Sequence, residues 1–178
     1  MRLFIAIELP EDAKKALGRL QTDIPGARWV PAGQMHVTLS FLGEVDEAGV
    51  ERLVGELARI HLPGFQLCFG GTGCFPDRRR PRVLWVGLEP NPQLNVLASR
   101  VREAGLACGI LREEGAFSPH ITLARIKQAA SGVCDTFLER HKKPGLPSFR
   151  VREFILFQSR LTPQGAVHIP LRGFSLER

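Results

Sequence analysis

Short apolar runs alternate with amphipathic segments along the whole 178-residue chain. The runs 2–10 and 82–90 are of strand length, are rich in apolar residues and each end at a proline, a pattern typical of β-strands. The segments that follow them, 11–22 and 93–108, repeat their apolar residues at helical spacing. This pattern predicts an amphipathic helix after each of the two strands.

The same succession continues in both halves of the chain. A glycine-free run of β-branched and apolar residues predicts a strand, helical spacing then predicts a helix, and a further strand begins at the same distance after each run. These elements are the strands 36–42 and 120–126, the helices at about 46–60 and 131–142, and the strands that begin at Phe65 and Phe149.

The order strand, helix, strand, helix, strand therefore occurs twice, which indicates an internal repeat over approximately 2–81 and 82–178. We predict a single bilobal α+β domain over 1–178, with two pseudo-symmetric lobes of mainly antiparallel sheet and flanking helices around a central cleft. A parallel doubly wound sheet is the alternative, but no glycine-rich phosphate loop follows the first strand. The glycine-rich segment 70–73 lacks the Gly-Lys-Ser/Thr ending of such a loop, and we predict a turn there.

The excess of basic residues indicates what kind of partner the protein binds. Lys and Arg outnumber Asp and Glu by 24 to 18, and the sequence pI is near 9.7, so anionic partners such as phosphates or RNA are favoured. Basic residues cluster at 78–82 and 140–143, either as anion contacts or as a solvated turn and a helix C-terminus. No apolar run is long enough for a membrane span, and the N-terminus does not resemble a signal peptide. We expect a cytoplasmic protein without a membrane partner and without an evident obligate protein partner.

Two copies of one short motif carry the candidate chemistry: His36-Val37-Thr38-Leu39 and His120-Ile121-Thr122-Leu123. Alternate side chains of a strand share a face, so the histidine and threonine of each motif point the same way. If a two-fold axis relates the lobes, two imidazoles and two hydroxyls face each other across one cleft.

Such a set suits the hydrolysis of a cyclic phosphodiester. Water must lose a proton, the departing sugar oxygen must gain one, and histidine titrates near neutral pH. A threonine hydroxyl can donate to a non-bridging phosphate oxygen. Arg125 is a candidate for binding phosphate charge, although an odd offset from His120 places it on the opposite face unless the strand ends or twists.

Metal binding is the main alternative use of the two histidines. Neither motif brings a neighbouring carboxylate or second histidine at i+2 or i+4, so we expect no metal and no cofactor. The remaining histidines, His61, His141 and His168, are predicted to be structural or at the surface. Ser118, just before Pro119 and His120, is predicted to form a turn or to contact substrate. The four cysteines show no Cys-x-x-Cys spacing and are predicted to be buried or idle thiols.

With these flanks the chain resembles the bacterial and archaeal RNA 2′,3′-cyclic phosphodiesterases, also called 2′-5′ RNA ligases, of the two-histidine phosphoesterase superfamily. The similarity extends over nearly the whole chain. It includes the segments 2–10, 28–31, 36–43, 81–87, 119–125 and 159–163.

The resemblance implies a bilobal fold and the opening of a 2′,3′-cyclic phosphate to a 2′-phosphate without metal, with reversible 2′-5′ ligation as a second implied activity. RNA ends or small cyclic nucleotides are the implied substrates. It also implies that His36 donates a proton to the leaving 3′ oxygen, that His120 accepts one from water, and that Thr38 and Thr122 bind phosphate. The residues alone leave acid and base open, because the repeat is nearly symmetric.

One departure from the family is visible: the chain has no tyrosine, whereas family members often carry one near the positions of Phe157 and His168. Base stacking then requires other rings, and Phe41 and Phe75 are the predicted candidates. Two other functions stay open. One is phosphodiester hydrolysis of another cyclic nucleotide or of ADP-ribose cyclic phosphate, and the other is a non-catalytic RNA-binding module.

Overall fold

Ten strands and four α-helices form the fold in the computed structural model, which describes residues 1–110 and 115–176. In chain order they are β1 (Arg2–Glu8), α1 (Glu11–Gly18), β2 (Ala27–Trp29), β3 (His36–Glu44), α2 (Glu47–Leu57), β4 (Phe65–Leu67), β5 (Phe69–Phe75), β6 (Val83–Leu88), α3 (Pro92–Ala107), β7 (His120–Ile126), α4 (Asp135–Arg140), β8 (Phe149–Val151), β9 (Glu153–Thr162) and β10 (Gly165–Ser175). A short 3-10 turn, Ala32–Gln34, precedes β3.

The strands form two four-stranded antiparallel sheets, in the orders β10-β9-β1-β3 and β2-β7-β6-β5. Each sheet contains one His-x-Thr strand, β3 in the first and β7 in the second. The late strands of each half cross over: β5 joins the second sheet, and β9 and β10 join the first. The predicted α+β class with two antiparallel lobes is confirmed, while the exact limits of the internal repeat stay a prediction.

The short strands β4 and β8, one from each half of the chain, pair with each other as a separate two-stranded sheet. Phe65 lies opposite Val151 and Leu67 opposite Phe149, with Gln66 facing Arg150 at the centre. Phe65 and Phe149 begin equivalent strands of the two halves, and each lies opposite the last residue of the other strand. The pairing is therefore the same when the two halves are exchanged, as a two-fold axis requires. The pair therefore marks the pseudo-symmetry of the two lobes.

One continuous hydrophobic core lies beneath both sheets and the helices. Helix α3 packs against α2 and against β3. Both helices begin at a polar cap, since Asp46 accepts from the Gly49 amide and Asn91 from the Leu94 amide. These contacts hold the strand that carries the first histidine against the core. No helix in residues 1–110 and 115–176 is long and apolar enough to cross a membrane.

The predicted turn at 70–73 is wrong, because these residues lie inside β5. A Cβ atom at Gly73 would come within 2.3 Å of the Trp85 ring, and one at Gly71 within 2.7 Å of the Lys142 carbonyl oxygen. The glycines therefore let a bulky ring and a neighbouring backbone approach the strand closely. The sequence pattern also missed β2, a three-residue edge strand that pairs only with β7 in the described part of the chain.

Replacing Gly73 with alanine is expected to destabilise the protein by about 1–3 kcal/mol, because the added methyl group overlaps the rigid Trp85 ring. Urea denaturation followed by circular dichroism measures the difference. Gly55 of α2 is the matched control, since nothing lies within 4 Å of the position that an added methyl group would take there. At Gly55, alanine should stabilise the helix by about 0.5–1 kcal/mol. Equal stabilities for the two variants would contradict the close packing.

Candidate active site

Both His-x-Thr motifs open onto one cleft between the two sheets, with a volume of about 660 Å³. His36, Thr38, His120 and Thr122 all line it. The volume lies within the usual range of small-molecule sites. Of the other residues singled out from the sequence, the cleft lining includes Phe41, Phe75 and Arg125 but not Ser118.

The core sets the direction of the motif side chains. Val37 and Leu39 are buried in the core, as are Ile121 and Leu123. Because neighbouring side chains of a strand point to opposite faces, the histidines and threonines are left facing the cleft. The alternation expected from the sequence holds over the first four residues of both strands.

A backbone carbonyl fixes each histidine ring in the same way. His36 Nδ1 lies 2.7 Å from the Gln34 carbonyl oxygen, and His120 Nδ1 lies 2.8 Å from the Ser118 carbonyl oxygen. A carbonyl only accepts, so each Nδ1 carries the hydrogen and each Nε2 is left for chemistry. The structure thus gives Ser118 a part in the site through its backbone, behind His120.

A β-bulge brings Arg125 to the cleft. Thr122 lies opposite Trp85 and Ala124 opposite Leu84, so Leu123 is the extra residue of its strand. Leu123 and Ala124 are consequently both buried, and the alternation is shifted by one residue. Arg125 therefore shares the face of His120 despite its odd offset.

The first lobe contains the same device. Thr38 lies opposite Ala6 and Ser40 opposite Ile5, so Leu39 is the extra residue in β3. Phe41, five residues after His36, accordingly lines the cleft as Arg125 does. Phe41 and Arg125 thus occupy equivalent positions in the two lobes.

Aromatic rings support both imidazoles. The Phe75 ring meets the His120 ring edge-on, with centroids 5.0 Å apart, and Trp85 lies 6.5 Å from the same ring. On the other side, the Phe4 ring is 5.0 Å from His36. Such contacts restrict the rotation of each histidine.

His168 also lies in the cleft, which the prediction of a structural or surface role did not foresee. Its ring meets His36 edge-on at 5.1 Å and Phe4 at 4.8 Å. The position depends on the register of β10 against β9, which spacing along the chain does not reveal. The only indication in the sequence that His168 could belong to the site was the tyrosine that family members often carry near this position.

The cleft carries positive charge without a counterpart. Arg2, Arg28 and Arg125 line it, and no Asp or Glu does so among the described residues. The basic clusters singled out from the sequence lie elsewhere: Arg78 pairs with Glu139 at 3.4 Å, and Lys142 contacts the same carboxylate. The cleft is therefore a site of positive potential suited to an anion.

This environment lowers the pKa of His36 from 6.5 to about 4. Burial is the main cause, and the charges of His168, His120 and Arg125 act in the same direction, while the hydrogen bond to Gln34 opposes them. Burial, together with Arg125, also lowers the pKa of His168. In the unliganded protein the His36 ring is consequently neutral at neutral pH.

The cysteines lie outside the cleft lining and do not form disulfides. All four cysteines are free thiols, and only Cys134 is buried. Burial raises the pKa of the Cys134 thiol to about 11, so the thiol stays protonated at neutral pH. Within residues 1–110 and 115–176, no three His, Cys, Asp or Glu side chains converge as a metal site.

Two imidazoles with free Nε2 atoms, two threonines and an anion-attracting wall in one cleft define a phosphoesterase of the two-histidine class. A family model for LigT-like phosphoesterases matches residues 7–85 and 86–168. The chain belongs to the LigT-like phosphoesterase family.

Relatives cover almost the whole chain. An RNA 2′,3′-cyclic phosphodiesterase of Archaeoglobus fulgidus is 32% identical over 177 residues, which is 98% of this chain and 99% of that protein. One of Thermus thermophilus is 38% identical over 193 aligned positions, covering 99% and 90%. The crystal structure of E. coli LigT complexed with 3′-AMP superposes with a TM-score of 0.82 at 29% identity, covering 99% and 98%.

NMR titration of the histidine ring protons tests the electrostatics of the site. His36 is expected to titrate near pH 4 in the free protein. Saturating inorganic phosphate is expected to raise its pKa by about 1–3, because the bound anion favours the protonated ring. His141 lies outside the cleft lining and serves as the control, whose titration should not respond. A His36 titration near pH 6.5 without a phosphate response would contradict the positive cleft.

Proposed function

We propose that the protein opens 2′,3′-cyclic phosphate ends of RNA to 2′-phosphates by metal-free acid–base catalysis. The observation that carries the proposal is the matched pair His36 and His120, each with Nδ1 held by a carbonyl and Nε2 left for the shared cleft. The proteins named RNA 2′,3′-cyclic phosphodiesterase that match over the full length support the choice of substrate.

In the proposed reaction His120 Nε2 takes a proton from water while the water oxygen attacks phosphorus. The bond from phosphorus to O3′ breaks, and protonated His36 gives its proton to O3′. The products are a 2′-phosphate and a free 3′-hydroxyl. Both proton transfers are thus assigned to side chains of the cleft, so the scheme requires no metal-bound water.

The role of His36 as the acid follows from the family resemblance. Its pKa of about 4 in the free cleft means that the ring must gain a proton as the substrate binds. The substrate provides the cause, because its phosphate brings a negative charge beside the imidazole. Acid catalysis by His36 is therefore a property of the complex and not of the free enzyme.

Thr38 and Thr122 share the cleft face with the two histidines. Their hydroxyls are proposed to donate to the non-bridging phosphate oxygens, and branching at Cβ restricts the rotation of each donor. The Arg125 guanidinium is proposed to stabilise the charge that develops on the phosphate.

Phe41 is the proposed platform for the nucleobase. Its side chain is 49% exposed although it lines the cleft, and an exposed ring in a nucleotide site is suited to stacking. Phe75 instead packs edge-on against His120. We therefore assign Phe75 to positioning the ring of His120.

The same site can join RNA ends when a 5′-hydroxyl replaces water. Its oxygen attacks phosphorus, the bond to O3′ breaks, and a 2′-5′ phosphodiester results. Because water is the smaller and far more abundant nucleophile, hydrolysis is proposed as the main reaction.

Incubation with adenosine 2′,3′-cyclic phosphate in EDTA tests this function. Phosphorus NMR is expected to show a 2′-phosphate, since His36 is proposed to protonate O3′. A 3′-phosphate would reverse the orientation of the substrate. Absence of reaction, with ADP-ribose cyclic phosphate hydrolysed instead, would favour the other cyclic substrate. Binding of RNA without any hydrolysis would favour the non-catalytic module.

Alanine at His36 or at His120 is expected to lower kcat by about 10²–10⁴-fold, the usual contribution of a general acid or base. Steady-state kinetics on the same substrate measures the loss, and thermal melting checks that each variant folds. His141→Ala is the matched control outside the cleft lining and should retain the wild-type rate. Near-normal turnover by either cleft variant would refute the acid–base pair.

A further inference from the structure

Two arginines of the cleft face each other on neighbouring strands. Arg28 of β2 lies directly opposite Arg125 of β7 in the strand register, and both line the cleft. Like charges in directly opposite positions destabilise a sheet. Arg125 is assigned above to the reacting phosphate, which leaves Arg28 without a role.

The contacts of Arg28 do not neutralise its charge. Its guanidinium donates to the Gln164 carbonyl oxygen at 2.7 Å, an uncharged acceptor at the tip of the β9–β10 hairpin. No carboxylate lines the cleft within the described residues. A repulsive pair that is retained without a counterion indicates a position that an anion fills.

Arg2 presents a similar charge from the other sheet. Ala6 lies opposite Thr38 and Phe4 opposite Phe41. Arg2, two residues before Phe4, lies opposite Glu44, whose carboxylate pairs with the N-terminal ammonium group. Alternate residues of one strand share a face, and the rise of about 3.3 Å per residue places the Arg2 Cα about 13 Å from that of Ala6. Arg2 is thus too far along the strand to share the phosphate assigned to Thr38.

The order along this wall matches the order of groups in a nucleotide chain. The phosphate-binding threonine comes first, the aromatic ring of Phe41 second, and the charge of Arg2 third. In a strand of RNA, a ribose and its base likewise separate each phosphate from the next. Arg28 adds a second guanidinium from the facing sheet, next to Arg125.

We propose that Arg28 and Arg2 form a second anion subsite, which binds the phosphate on the 5′ side of the terminal ribose. The inference rests on the proposed function and defines its substrate class: an oligonucleotide with a cyclic end is preferred to a cyclic mononucleotide. Arg28 exchanges the Gln164 carbonyl for a phosphate oxygen when this substrate binds. The stronger, charge-assisted hydrogen bond favours the exchange.

Three substrates separate the parts of this subsite: adenosine 2′,3′-cyclic phosphate, its 5′-phosphorylated form, and the dinucleotide ApA with a cyclic end. Wild-type enzyme is expected to have the lowest kcat/KM on the first. Arg28→Gln is expected to lower kcat/KM on the dinucleotide by about 10–100-fold, the usual contribution of a hydrogen bond to a charged group. The unphosphorylated mononucleotide should lose less than about threefold, because the remaining effect is a screened charge.

Arg172→Gln is the matched control. Arg172 is an exposed arginine of β10 that does not line the cleft, so its removal changes the net charge equally. This variant should affect all three substrates alike and only slightly. Arg2→Gln should follow the pattern of Arg28→Gln, and thermal melting verifies that every variant is folded.

The pattern of losses shows which kind of phosphate the subsite binds, and one pattern would contradict the proposal. If the loss occurs with both phosphorylated substrates, the subsite accepts any 5′ phosphate; if it occurs with the dinucleotide alone, the subsite requires the internucleotide diester. Equal losses on all three substrates in Arg28→Gln would overturn the subsite, while hydrolysis by the wild type would leave the proposed function standing.

Binding gives a readout that does not depend on turnover. Calorimetry compares 3′-AMP with the dinucleotide ApAp, whose additional phosphate should tighten binding to the wild type but not to Arg28→Gln. The slope of log affinity against log salt for ApAp should also fall by about 0.7 in the variant, as expected for one lost phosphate contact. Unchanged affinity and slope would refute the subsite even if no cyclic substrate were hydrolysed.

Discussion

Burial of the two apolar residues in each motif holds the cleft-facing side of both motif strands in place. Val37, Leu39, Ile121 and Leu123 are each at most 6% exposed, and burying such a side chain stabilises the fold by about 1.5–3 kcal/mol. A slip of one residue in either strand would turn the two apolar side chains of that strand towards water and its histidine towards the core. The strand register is therefore fixed by the hydrophobic core, and the orientation of the site follows from it.

The bulge after each motif then adds a second kind of residue to the same face. If the same sequences formed regular strands without the bulges at Leu39 and Leu123, strict alternation would direct Phe41 and Arg125 into the core. With them, one lobe contributes a ring and the other a guanidinium at equivalent positions of the cleft. The same backbone irregularity in both lobes thus places two chemically different side chains at equivalent positions, which distinguishes the two sides of a nearly symmetric cleft.

Local patterns in the sequence were sufficient for the motif strands and most of the helices, since each depends on residues near one another in the chain. Features set by contacts between distant segments were not accessible in this way. The turn predicted at 70–73 is a strand, because Trp85 requires space that only its packing reveals. His168 reaches the cleft through the pairing of β10 with β9. Strand register also corrects the alignment of the two halves. Ala6 lies opposite Thr38 and Trp85 opposite Thr122, so Ala6 corresponds to Trp85, whereas matching the two proline-ended runs would pair it with the next residue, Val86.

Burial of the ring is the main cause of the low pKa of His36, and the positive charge of the cleft, which no carboxylate among the described lining residues balances, acts in the same direction. The pKa of about 4 lies well below its value in an unfolded chain, so the folded protein binds fewer protons than the unfolded one between about pH 4 and 6.5. The stability contributed by this ring is accordingly present above pH 6.5 and is lost as the pH falls towards 4.

A bound phosphate reverses that balance, because its negative charge favours the protonated ring of His36. Substrate binding and proton uptake are then coupled by thermodynamic linkage. Protonation of His36 raises the affinity for the phosphate by the same factor by which the bound phosphate raises the affinity of His36 for the proton. In the proposed reaction, the proton for the leaving oxygen is therefore taken up together with the substrate. A carboxylate in the cleft would raise the pKa of these histidines and favour their protonation without substrate, but it would also repel the anionic substrate proposed for the cleft.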